Sequence, residues 1–133
     1  MRAPAVALLW LAACSETKPE KIAVISIGDA VRAEDYLRKG YVTILEFTRA
    51  GCGPCVELAP ELDRLAEKYD RVLVRRVDVL RSGTAAAEQM AREFSGRDVP
   101  HVVVFAADGS SLGPVVADPK SIEQAVQSGL ARR

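Results

Sequence analysis

Histidine, cysteine and tryptophan are scarce here. The 133-residue chain has one histidine, His101, three cysteines, and one tryptophan, Trp10. Net charge is absent too, since eighteen Lys and Arg residues balance eighteen Asp and Glu. Composition therefore makes no case for nucleic acid or an anionic surface, and no nucleic-acid partner is expected. There is no internal repeat or low-complexity tract. The uncharged run Pro4 to Ala13 is ten residues, about half of the roughly 20 needed for a membrane-spanning helix. What is present is an ordinary globular mixture, 49% hydrophobic and 27% charged, long enough for one domain with a genuine core.

The opening departs from that average. Arg2 supplies a positive start, the run to Ala13 has the length of a signal-peptide core, and "LAAC" is followed by the polar "SETKPEK". Leu11-Ala12-Ala13-Cys14 resembles the lipobox of bacterial lipoproteins. That resemblance implies cleavage before Cys14 and acylation of its sulfur and new amino group; two or more acyl chains anchor stably where one does not. The expected organisation is a signal peptide over 1–13, a lipidated terminus and tether over 14–21, and a folded domain over 22–133. The odd cysteine count then resolves into one lipidated residue and one pair.

Within the domain, "IAVISIG" (22–28) reads as a strand and "DAVRAEDYLRKG" (29–40) as a helix capped by Asp29 and stopped at Gly40. "YVTILEF" (41–47) suits a central strand. Cys55, Leu58, Ala59, Leu62, Leu65, Ala66 and Tyr69 follow helical spacing. "RVLVRRVDV" (71–79) is a strand, "TAAAEQMAREF" (84–94) a helix, and strands 101–107 and 112–117 join through Asp108-Gly109. Asp118-Pro119 opens a final helix. The β-α-β-α-β-α-β-β-α order predicts an α/β fold, with a central mixed sheet flanked by helices on both faces.

The chemistry concentrates in "LEFTRAGCGPCVELAP" (45–60). Cys52 and Cys55 are separated by two residues. A structural zinc site needs four ligands, usually from two such pairs, and only Cys14 and His101 remain. A c-type haem needs histidine directly after the second cysteine, where Val56 stands. A static staple closes too small a loop to restrict the unfolded chain much. Dithiol exchange is left, and the position suits it. Cys52 falls at a strand-to-helix junction, where unpaired N–H groups and the helix dipole stabilise a thiolate. Cys52 is expected to be the exposed nucleophile and Cys55 the buried resolving thiol. Pro54 presets the turn between them. The redox centre is the Cys52–Cys55 pair itself, with no added cofactor and no metal.

This stretch resembles thioredoxin, and the resemblance runs over roughly residues 22 to 131. Pro60, five residues after Cys55, matches the proline within the family's active-site helix. Val99-Pro100 matches its cis-proline, which opposes the dithiol and shapes the substrate groove. Glu46 falls where the family has a buried acid that takes the second cysteine's proton, and its apolar neighbours on both faces argue for burial over a solvent-facing place. Gly53 and Pro54 complete the motif. Gly51, Val99 and His101 are implied to border the groove. Two departures stand out: Gly51 replaces the family's tryptophan and Val56 its lysine. Arg49 either favours the Cys52 thiolate or is simply solvated.

The resemblance implies a thiol-disulfide oxidoreductase that reduces protein disulfides. With the lipobox it implies a monomer anchored in the bacterial cell envelope, facing the periplasm or exterior. Its partners would be disulfide- or thiol-bearing proteins and a membrane thiol relay that donates electrons. The alternatives are a metal-handling or protein-binding module on a thioredoxin scaffold, with Cys52, Cys55 and His101 offering soft ligands to Cu(I), and a cytosolic thioredoxin with an unusual tail.

Overall fold

The structure, a computed structural model, describes residues 17–133 together with Arg2 and Ala3. The signal segment from Pro4 onward and Cys14 lie outside the described residues.

β2 (Val42–Thr48) is buried at six of its seven positions, and only a strand covered on both faces can be so. It sits at the centre of a five-stranded sheet ordered β1-β3-β2-β4-β5. β1 (Ile22–Ile27) and β3 (Val72–Asp78) run parallel to it on one side, β3 being its direct neighbour. β4 (His101–Phe105) and β5 (Ser111–Val115) complete the other side in antiparallel register. Alternation along β2 sends Val42 and Ile44 to one core and Leu45 and Phe47 to the other.

The first core packs under α2 (Gly53–Lys68) and α4 (Pro119–Ala131), with Leu58, Leu62, Leu65, Ile122 and Val126 as its helical contribution. The second lies under α1 (Ala33–Tyr36) and α3 (Ala85–Glu93) and is partly aromatic. There Phe94 meets Tyr36, Phe47 and Phe105, with ring centroids 5.4 to 6.5 Å apart. Helices thus cover both faces of a mixed sheet, as the β/α alternation implies.

Two helix starts follow their caps. Thr84 Oγ1 accepts the Ala87 N–H, and Asp118 accepts the Ser121 N–H just before Pro119. The first helix is a correction. It was expected over 29–40 with Asp29 as its cap, yet only Ala33–Tyr36 is helical and Arg32 is the cap. Asp29 instead exchanges hydrogen bonds with the Ser26 hydroxyl. The cause is tertiary. The Gln89 side chain, 8% exposed on α3, accepts the Val31 N–H at 2.8 Å and donates to the Val31 carbonyl at 2.7 Å. Both backbone groups of Val31 are thereby taken, and the helix cannot include it. The β4–β5 turn closes with Gly109 at φ 87°, in the left-handed region that glycine adopts freely.

Candidate active site

β2 ends at Thr48, a short loop follows, and α2 begins at Gly53. Gly51 in that loop has φ 76°, and a Cβ there would meet nothing within 4 Å. This glycine answers a backbone need, since other residues adopt that conformation at a cost. The side of the site where a tryptophan was expected is open.

Cys52 is the N-cap of α2, and its sulfur accepts the Cys55 N–H at 3.2 Å. Cys52 Sγ therefore occupies the place of an N-capping oxygen, facing an otherwise unsatisfied donor and the positive end of the helix dipole. Both effects favour negative charge on that sulfur when the pair is reduced. Gly53 and Pro54 are the first exposed residues of α2, where proline withholds no needed N–H. Cys52 and Cys55 are joined by a disulfide.

Cys52 was expected to be exposed, and here the structure differs: Cys52 is 8% and Cys55 3% exposed. The order of accessibility is kept, but the nucleophile's margin is small. The neighbouring chain explains the cover, because the Val99 carbonyl oxygen lies 3.9 Å from Cys52 Sγ. The Val99–Pro100 peptide bond is cis, and the two residues immediately precede β4. Val56, 69% exposed, adds an apolar rim one residue after Cys55.

Glu46 shares the β2 face of Val42 and Ile44, in the layer beneath α2, and is fully buried. Its Oε2 accepts from Arg76 Nε at 2.7 Å, while Oε1 has no hydrogen-bond partner among the described residues. Burial raises the carboxyl above its ordinary range, and the hydrogen bond and charge of Arg76 pull the other way. Arg76 is directly opposite Glu46 in the parallel β2–β3 pairing. Its other nitrogen, Nη2, donates to Asp63 at 2.8 Å and to the Ala59 carbonyl at 3.0 Å on α2. One guanidinium thus ties the buried acid to the active-site helix.

The reading of the sequence missed Arg76 and Asp63. A signal was present: Val72, Val74 and Arg76 share one strand face, and an arginine on an apolar face implies a buried acid.

His101 is half-buried and is committed elsewhere. Its Nε2–H donates to the Phe94 carbonyl at 2.7 Å, and its ring lies 6.2 Å from that of Phe47. Gly96 permits this, because a Cβ there would come within 2.7 Å of the imidazole. His101 therefore packs beneath the end of α3. Among the described residues, no group of three His, Cys, Asp or Glu side chains is placed to hold a metal.

A sulfur pair at a strand-to-helix junction, one sulfur capping the helix and a buried carboxyl beneath it, defines a thiol-disulfide oxidoreductase site. The thioredoxin family model matches residues 30–127, and the chain belongs to the thioredoxin family. It is 32% identical over 114 residues to the H-type thioredoxin 1 of Nicotiana tabacum, covering 83% of this chain and 86% of that one. It is 31% identical over 101 residues to a thioredoxin of Mycobacterium tuberculosis, covering 75% of this chain and 82% of the relative. Among solved structures, a point-mutant thioredoxin from Halobacterium salinarum aligns with TM-score 0.65 at 25% identity, over 88% of this chain and 97% of that one.

Proposed function

We propose that this protein reduces disulfides of other proteins from a lipid-anchored position in the bacterial cell envelope. The observation that carries the redox roles is the Cys55 N–H directed at Cys52 Sγ, which makes Cys52 the sulfur better stabilised as thiolate.

In the forward direction the Cys52 thiolate attacks one sulfur of a partner's disulfide. The partner's S–S bond breaks, a Cys52–partner mixed disulfide forms, and the first partner thiolate leaves. Cys55 then gives up its proton and attacks Cys52 Sγ, releasing the second partner thiolate. Two electrons have passed to the partner, whose disulfide becomes two thiols, and the Cys52–Cys55 dithiol has become a disulfide. Glu46, held in the layer beneath α2 with Oε1 unpaired among the described residues, is the base for the Cys55 proton. Val99 and Pro100 border the partner's path to Cys52. A membrane dithiol relay restores the reduced form.

The lipid anchor is supported by Leu11-Ala12-Ala13-Cys14 and by the polar residues after it. Among the described residues no helix is long and apolar enough to cross a membrane.

Trapping tests the assigned roles. The Cys55→Ser variant should accumulate partners covalently on Cys52, resolved by non-reducing electrophoresis and released by dithiothreitol, whereas Cys52→Ser should accumulate none. Equal trapping by both variants would sink the assignment.

A further inference from the structure

Two clefts of opposite charge flank the Val99–Pro100 segment, whose Val99 carbonyl lies 3.9 Å from Cys52 Sγ. One, about 480 Å³, lies on the α3 side of the sheet, at the end where β2 and β3 stop, and Val99 is part of its wall. Arg49, Arg81, Arg92 and Arg97 line it, against only Glu88 and Asp98. All four arginines are exposed. Arg92 pairs with Glu88 at 3.1 Å, a solvated surface pair that contributes little. The Asp98 carboxylate is turned back on its own chain, accepting the Val99 N–H at 2.8 Å. Arg49, Arg81 and Arg97 form no salt bridge within 4 Å among the described residues, so the cleft keeps a surplus of positive charge.

The other cleft, about 270 Å³, lies on the opposite face, between the first turns of α2 and the start of α4. Pro54 and Pro100 form part of its wall, and its charged residues are Glu57, Glu61 and Asp118, with no cation in the wall itself. Glu61 pairs with Arg64, a solvated surface pair that contributes little, so Glu57 and Asp118 keep the cleft negative. The cis bond between Val99 and Pro100 is the boundary between the two clefts. The chain as a whole is neutral, so this polarity comes from placement and not from composition.

We propose that the paired clefts form a charge-oriented docking surface for an extended, cysteine-bearing segment of a partner protein. The segment carries acidic residues on the flank that enters the arginine cleft and basic residues on the flank that meets Glu57 and Glu61. This rests on the disulfide-exchange reading of Cys52 and adds to it which partners are selected and which way round they lie. Close, low-lying charges of this kind orient an encounter and speed the complementary partner over its mirror arrangement.

Two synthetic peptides of identical composition test this. Each has one central cysteine capped as a mixed disulfide with 2-mercaptoethanol; one has glutamates before the cysteine and lysines after it, the other the reverse. Neutral bis(2-hydroxyethyl) disulfide is the third substrate. With reduced protein at low ionic strength, the two peptides should differ about tenfold in exchange rate. The ratio should approach one near 1 M salt, where the Debye length is about 3 Å. In the Arg81→Glu, Arg97→Glu double variant it should collapse or invert, and because the readout is a ratio, any change in overall rate cancels. Equal rates in the unaltered protein overturn the proposal, as does a difference indifferent to salt or to the double variant. Failure to exchange with any substrate, the neutral one included, removes the redox reading and this proposal together. Exchange with the neutral disulfide but equal rates for the peptides removes only the charge-oriented surface.

Discussion

Burial pushes the Glu46 carboxyl upward, while Arg76, hydrogen-bonded to Oε2, favours its ionised form. The net direction is up, so the folded protein holds a proton on Glu46 at pH values where the unfolded chain has lost it. Stability from this group then declines as pH rises above the ordinary value of 4.5 and levels off beyond the raised one. Glu46→Gln removes that dependence. With the disulfide kept intact, urea unfolding of both proteins between about pH 4 and pH 8 should show the parent losing stability relative to the variant, at up to about 1.4 kcal/mol per pH unit. A difference that stays flat with pH would rule out the raised carboxyl. Legibility at this scale was uneven. The dithiol and the burial of Glu46 could be read from spacing and alternation. The engagement of Arg76 with both Glu46 and Asp63 could not, because it needs the β2–β3 register and the seat of α2 together.

At the scale of elements, helix ends are where local sequence and tertiary structure share control. Thr84 and Asp118 cap α3 and α4 with their own side chains, and the Asp118-Pro119 start was readable in advance. α1 was not, since Gln89, far along the chain, takes both backbone groups of Val31. The C-terminal end of α2 has a similar long-range solution. Lys21 Nζ donates to the carbonyls of Ala66, Tyr69 and Asp70 at 2.8, 2.8 and 2.6 Å, and the Lys21 carbonyl accepts the Val74 N–H. A cation at a helix C-terminus satisfies open carbonyls and complements the dipole. Lys21→Met keeps the apolar stem and removes the donors. It should lower stability by about 1–2 kcal/mol, a charged hydrogen-bond set discounted for partial exposure. Denaturant titration checks this, and a midpoint equal to the parent's would show that solvent replaces the lysine without cost.

For the molecule as a whole, the catalytic end of the sheet and the proposed anchor belong to different parts of the chain. Lys21 is bonded into the domain, so the proposed anchor at Cys14 would be joined to it only through the few residues between. Cys14→Ser should move the protein from the membrane fraction to the soluble one on cell fractionation, with disulfide reduction by the domain retained. Mass spectrometry showing an unmodified Cys14 peptide from membranes would defeat the lipid anchor.

By itself the sequence determined the element order, the redox pair and its helix-capping position, because these depend on hydrophobic period, turn chemistry and spacing along a few consecutive residues. Tertiary structure alone decided the shortness of α1, the hydrogen bond of His101 to the Phe94 carbonyl, and the bridge from Glu46 through Arg76 to Asp63. It also decided the sorting of charges into one basic and one acidic cleft. In each case the partners come from separate segments, and no local pattern encodes how the sheet brings them together.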